Sequence, residues 1–291
     1  MFATAPPAVV AVAPESALVS LEAAMTEARS GARRVSDPGS VLASDASVKD
    51  KLAAIDVLHS GIPTEPRAKQ VAALDALAAA AVSTKQPPEV RAKALTFLGY
   101  AMPQVKDDDA RTRGLKVLIA ALAKPAYRIY ALRGFGPACH ELPKADEPAY
   151  QGALLDLLDG PVAGEERETA LVALYSFVST RDDLAKRAPA LVAQLDERLL
   201  TPIEGDPDGF VIDPRTTPGS REMAAATIWM SARLRQSLGN PKPAARVHAV
   251  LARLAAVETD PTALGWIKIY RDAPPPAPAS TTKRPTDPEG A

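Results

Sequence analysis

Arg91-Ala-Lys-Ala94-Leu95, Arg128-Ile-Tyr-Ala131-Leu132, Arg167-Glu-Thr-Ala170-Leu171 and Arg221-Glu-Met-Ala224-Ala225 are four versions of one string, an arginine followed three residues later by alanine and then by another apolar residue. The first three arginines lie 37 and 39 residues apart, and a looser version, Lys51-Leu-Ala-Ala54-Ile55, begins 40 residues before Arg91. A fixed period of this length is the signature of a repeat array, in which each supersecondary unit buries its apolar face by stacking on the next. The expected fold class is all-α, an α-solenoid of antiparallel helix pairs with about five repeats.

Outward from these strings, helical segments are predicted in pairs. First members fall at 48–59, 88–100, 126–138, 164–178 and 220–238, and second members at 65–82, 108–123, 147–158, 184–199 and 243–257. Leu115, Leu118, Ile119 and Leu122 form an apolar stripe at i, i+3, i+4 and i+7, as do Leu171, Leu174, Phe177 and Val178 at similar spacing. Pro88, Pro148 and Pro243 suit first turns, where a missing N–H is harmless because the first four donors have no partner within the helix. Pro189 is expected to kink or break the helix that starts near Asp183. A last helix, 262–270, is expected to cover the array with Trp266 and Ile269 turned inward. The acids Asp107, Asp108 and Asp109 precede a helix, where they cap free N–H groups and oppose the helix dipole.

The divisions expected are a leader over 1–13, an N-terminal helix and loop over 14–46, the helical array over 47–271 and a Pro-rich tail over 272–291. Glu15–Arg29 reads as an amphipathic helix carrying Leu18, Leu21 and Met25, suited to capping the array. Ser30–Ala46, with Asp37-Pro38-Gly39, reads as a loop. The spacing from Arg167 to Arg221 widens to 54 residues. The excess lies in 201–219, which holds four prolines and four acids without helical periodicity and is the expected place for function.

Composition narrows the function classes. Hydrophobic residues make up 47% and aromatic residues 4%, so the core must be built mostly from Ala, Leu and Val on closely approaching helices. Thirty-four basic residues balance 35 acidic ones, which argues against nucleic acid as the main partner, since phosphate binding needs a basic footprint. No segment is apolar for long enough to span a bilayer. The apolar N-terminus has no basic residue before Arg29 and so lacks the positive start of a secretory signal, which favours the cytoplasm. Ala11-Val12-Ala13, like the end of a cleavage site, keeps export as the alternative.

The strings Val90-Arg91-Ala-Lys-Ala94-Leu95-Thr-Phe97-Leu98-Gly99, Tyr127-Arg128-Ile-Tyr-Ala131-Leu132-Arg-Gly-Phe135-Gly136 and Glu166-Arg167-Glu-Thr-Ala170-Leu171-Val-Ala-Leu174 resemble HEAT-like repeats, especially the variety first associated with bilin lyases. The resemblance covers about residues 47–258. A tetratricopeptide array has a period of about 34 and a different pattern. The resemblance implies a right-handed superhelix with second helices lining a concave face and a role in holding other molecules. Some HEAT-like proteins are enzymes, including bilin lyases and alkylpurine DNA glycosylases, but no active-site motif is present to carry across.

The function expected is therefore a non-catalytic scaffold for a protein or peptide, bound along the second helices by Lys69, Arg113, Lys116, Gln151, Gln194, Arg198, Arg246 and Arg253, with Phe210 in the insertion. The alternative is a lyase-like enzyme or small-ligand binder with a pocket near 201–219. Neither catalytic residues, nor a metal, nor a cofactor is expected. His59, His140 and His248 fall in different predicted repeats without ligand spacing, and Cys139, the single cysteine, reads as packing. Glu204-Gly-Asp206-Pro-Asp208-Gly209 mimics the start of a calcium loop, but Arg215 stands where the bidentate Glu is needed, so it reads as an acidic turn. Phe210-Val211-Ile212 is expected to tuck back onto the array. The repeated arginines are expected to lie over the grooves between helices, each pairing with a carboxylate or a free helix carbonyl.

Overall fold

The computed structural model describes residues 37–239 and 242–273, which are all-α, 83% helical and without strands. The leader, the helix expected over 15–29 and the tail from 274 lie outside the described residues. The first helices are α2 Val48–Gly61, α4 Pro88–Ala101, α6 Pro125–Ala138, α8 Gly164–Ser179 and α13 Pro218–Gln236. The second helices are α3 Arg67–Val82, α5 Asp108–Leu122, α7 Glu147–Asp159 and α14 Lys242–Val257. A short α1 Pro38–Ala43 precedes them and α15 Pro261–Asp272 closes the series. Between α8 and α13 lie α9 Leu184–Arg187, α10 Pro189–Leu195, a wide π-type turn over Asp196–Leu200, α11 Thr201–Gly205 and α12 Pro207–Ile212.

Local chemistry sets these ends. Ser47 accepts from the Asp50 N–H at 3.2 Å, Asp107 from Ala110 at 2.9 Å and Asp260 from Ala263 at 2.9 Å, each satisfying an orphan donor at a helix start. Thr217 and Ser220 form a reciprocal capping box on α13. Pro88 opens α4, and Pro148 and Pro243 sit in the first turns of α7 and α14. At Pro189 the helix breaks, as its missing N–H requires, with Ala188 between α9 and α10.

Neighbouring helices pack in sequential pairs and in two rows. Each of α2, α4, α6, α8, α13 and α15 touches the next of that set. On the other side α3 touches α5, α5 touches α7, α7 touches α10, and α11 and α12 touch α14. The residues three, four and seven positions after each repeated arginine make the core of the first row. Ala94, Leu95 and Leu98 are buried, as are Ala131, Leu132 and Phe135, then Ala170, Leu171 and Leu174, then Ala224, Ala225 and Ile228. Each buried Leu or Phe contributes about 2 kcal/mol, so this recurring trio is a main source of stability. Where α4 crosses α6 the contact is backbone on backbone. A Cβ added to Gly99 would land on the Gly134 carbonyl, and one added to Gly134 would sit 2.9 Å from the Leu95 carbonyl.

The arginines fasten successive pairs. Arg91 Nε donates to the Ala81 carbonyl at 3.4 Å, Arg128 Nε to Leu122 at 2.8 Å and Arg167 Nη1 to Leu158 at 2.9 Å, all within the last two residues of the preceding second helix. These carbonyls have no partner within the helix and carry the negative end of its dipole. The far side of each guanidinium reaches onward. Arg91 donates to the Tyr127 hydroxyl at 2.9 Å and Arg128 to Glu166 at 3.0 Å, in each case the residue just before the next arginine. Arg221 instead pairs with the buried Glu258, at 2.6 and 2.9 Å. Lys51 joins the scheme through Gln86, which it contacts at 3.0 Å and which donates to the Leu42 carbonyl near the end of α1.

Three expectations are corrected. The loop over 30–46 contains α1, because Asp37-Pro38 is equally the start signal of a helix, with proline at its first position and Leu42 buried. The insertion is not irregular. It folds as α11 and α12, started by Pro202 and Pro207, each too short to show a 3.6-residue period, and it buries Ile203 and Val211. In α15, Ala263 and Ile267 face inward, whereas Trp266 and Ile269 are exposed. Trp266 stacks on Tyr270 at a centroid distance of 6.2 Å.

Candidate functional site

The second-helix row carries a ladder of ion pairs, each joining one helix to its neighbour. Arg113 of α5 holds Asp75 of α3 through Nε and Nη2 at 2.9–3.1 Å, the planar fork matched to the carboxylate. Arg198, in the turn after α10, holds Asp159 at the end of α7 at 2.5 and 2.9 Å and Asp156 at 2.9 Å. Arg246 of α14 holds Glu204 of α11 at 2.5 and 2.9 Å, which keeps the Glu204 carboxyl below its ordinary range. Arg253 donates to the Glu204 carbonyl at 2.8 Å. Lys69 pairs with Glu65 at 3.1 Å, and Lys116 is exposed. The sequence-predicted cations therefore share one row, each presenting a partly exposed guanidinium or ammonium.

Two of the candidates sit differently. Gln151 is fully buried, donating to the Leu191 carbonyl at 2.7 Å and approaching the exposed Gln194 at 3.4 Å. It packs α7 onto α10 and is not displayed. Phe210 is half-buried against the core and Val211 is buried, so the apolar triplet tucks back except at Ile212, which is 78% exposed. The calcium-like acids diverge. Glu204 turns to Arg246, while Asp206 caps α12 by accepting from the Gly209 N–H at 2.8 Å. Among the described residues no group of three or more His, Cys, Asp or Glu side chains converges on a point that could hold a metal.

The first-helix row has a different outer surface, which was not singled out in the sequence. It carries half-buried or exposed rings with cations laid over them. Lys93 Nζ is 5.4 Å from the Phe97 ring, the Arg133 guanidinium 5.8 Å from Tyr130 and Arg233 5.9 Å from Trp229. His59 meets Phe97 edge-on at 5.0 Å, and Trp229 lies 5.7 Å from Tyr270. Burial pushes the Tyr270 hydroxyl up to about 12, with Tyr175 and Glu222 adding to the shift. The signal was present as a ring three or four residues from a Lys or Arg, a spacing that places both on one helix face.

A buried charged cluster joins the start of α7 to the segment that follows α8. Glu147 accepts from Arg181 Nε at 2.7 Å and from Arg187 at 2.5 and 2.7 Å. Burial alone would push the Glu147 carboxyl up, but the hydrogen bonds from Arg187 and Arg181 outweigh it and hold the carboxyl below its ordinary value. Arg181 also donates to the Cys139 carbonyl at 2.5 Å and the Phe177 carbonyl at 3.0 Å, closing the ends of α6 and α8. Beside it Tyr150 lies between Phe135 and Phe177, its hydroxyl bonded to the Phe135 carbonyl at 2.8 Å. Burial raises the Cys139 thiol, which keeps it protonated and unreactive, and His140 is exposed next to it. These groups are consumed in packing, so the cluster is structural.

The class defined by this architecture is an all-helical protein of sequentially paired helices. Comparison with protein-family models, curated proteins and solved structures found no match to this chain.

Proposed function

We propose that this chain is a non-catalytic interaction scaffold, built as a HEAT-like α-solenoid, that holds a protein or peptide along the surface of its second helices. The observation that carries this reading is the ladder Arg113–Asp75, Arg198–Asp159 and Arg246–Glu204, with partners 38, 39 and 42 residues apart. Exposed ion pairs of this kind contribute only about 0–1 kcal/mol, so a partner's carboxylates can replace the internal ones at little cost. The guanidinium forks are already oriented for planar, bidentate recognition, which points to an acidic segment as the ligand. Lys116, exposed on the same helix as Arg113, adds charge of the same sign.

The test is charge reversal of the ladder. In crosslinking and mass spectrometry from native lysate, the chain carrying Arg113→Glu, Arg198→Glu and Arg246→Glu should lose a specific acidic partner while keeping its helical circular dichroism. Affinity for that partner, measured with purified components, should fall by at least about tenfold. Unchanged affinity would refute binding by this row.

A further inference from the structure

Two neighbouring first helices, α8 and α13, repeat a second feature in register with their arginines. Glu168 and Glu222 stand one residue after Arg167 and Arg221, and Tyr175 and Trp229 stand eight residues after them. Seven residues are about two helical turns, so each helix shows a carboxylate and a ring on one face, about 10 Å apart along the axis. The same positions hold Ala92 and Gly99 in α4 and Ile129 and Gly136 in α6, where the feature is lost. Glu168 leans across to α13. It accepts from Thr217 Oγ1 at 2.8 Å, and its carboxylate covers Gly219, where an added Cβ would lie 2.6 Å from either oxygen. Glu222 is one turn further along. From the other side α15 sets Tyr270 5.7 Å from Trp229 and stacks Trp266 on Tyr270. Val172, Trp266 and Ile269 are 40–55% exposed around these rings, and the face carries both tryptophans of the chain.

The charge on this face is unbalanced. Burial and the neighbouring Glu168 both push the Glu222 carboxyl up, and neither glutamate has an ion-pair partner among the described residues. On the second row, by contrast, Asp75, Asp159 and Glu204 are each held by an arginine. The hydroxyls of Tyr175 and Tyr270 also donate to no described residue. Arg233, laid over Trp229, lies 11 residues beyond Glu222, about 16 Å along the helix, and the helical spacing puts Lys268 on the side of α15 away from Trp266 and Tyr270. We infer that this face binds a basic peptide segment of a partner protein, with an arginine or lysine set between the Glu168 and Glu222 carboxylates and the rings of Tyr175, Trp229 and Tyr270. An exposed apolar surface bordered by charge marks an interaction site, and Trp and Tyr are the side chains that anchor such contacts. A cation gains from a ring face and from a carboxylate together, so charge complementarity selects a basic occupant. The inference goes beyond the scaffold reading, since it uses the other row and a partner of opposite charge, and it stands whether or not the ladder binds.

Intrinsic fluorescence of the full chain tests it, because both tryptophans report from the face itself. A synthetic peptide of four Gly-Arg-Leu repeats should change the tryptophan emission saturably, whereas its Gly-Glu-Leu counterpart should not. Glu168→Gln together with Glu222→Gln should weaken binding of the arginine peptide by at least about tenfold. Glutamine at 168 still accepts from Thr217, so helical circular dichroism should be unchanged. Ile269→Ser, which alters only the apolar part of the face, should weaken binding about threefold. No response to the arginine peptide, an equal response to the glutamate peptide, or unchanged affinity in the double glutamine variant would overturn the inference. So would emission that shifts with protein concentration alone, which would make the occupant a second copy.

Discussion

Both rows of helices bury leucines and carry ion pairs, but they differ in how closely their backbones meet and in what their outer faces show. In the first row the contact is intimate, with alanines three residues after each arginine, a glycine-on-glycine crossing of α4 and α6, and rings on the outer face. In the second row neighbours are joined across their surfaces by long side chains, arginine to carboxylate, with solvent close by. Close backbone approach fixes geometry but tolerates no added volume, whereas paired charges tolerate change but add little. The first-row crossing therefore fixes the shape, and the exposed ion pairs on the second row can be rewritten around its buried leucines.

The largest effect is expected at the crossing. Gly99→Ala should destabilise by about 3 kcal/mol or more, because the new methyl meets backbone that cannot rotate away. Gly152→Ala, in α7 of the second row, meets nothing within 4 Å and should stabilise by about 0.5–1 kcal/mol through the helical preference of alanine. Thermal denaturation of the two variants side by side measures the contrast. Similar losses for both would erase the distinction between the rows.

Next in size is the buried pair. Arg221→Ala leaves Glu258 buried without its partner and should cost about 3–5 kcal/mol at neutral pH. Burial pushes the Glu258 carboxyl up, yet the Arg221 hydrogen bonds together with backbone donors hold it below the ordinary 4.5. A lowered carboxyl contributes stability that is full above its unfolded value and is lost as pH falls through its folded value. The gap between parent and variant should accordingly be widest near neutrality and shrink below pH 4.5, which denaturant titrations at several pH values will show. Smallest is the exposed ladder. Arg113→Ala should cost under about 1 kcal/mol, and a larger loss would mean that the second row also carries structural weight.

Much of this contrast was legible in the sequence. The recurring arginine marked the first helices, and prolines marked most helix starts and the break at 188. The helix-end carbonyls bound by Arg91, Arg128 and Arg167 follow from the general need of helix ends for donors. Their second partners did not, because Tyr127 and Glu166 meet the arginines only when consecutive pairs are stacked. The inward side of α15 was misread for a related reason. Periodicity cannot decide whether Ile267 or Trp266 faces the neighbour when both sides of a short helix carry large apolar residues. The row of cations was found from sequence, but the fact that their charges are already engaged depends on carboxylates about 40 residues away.

The arginines that bind the last carbonyls of α3, α5 and α7 have a consequence for how the molecule loosens. Helix ends ordinarily fray first, since their terminal groups are held only by water. Here those ends are clasped by side chains from the following pair, so amide hydrogen exchange is expected to be faster over 184–212, where four short helices and a π-type turn replace one long one, than at the ends of α3, α5 and α7.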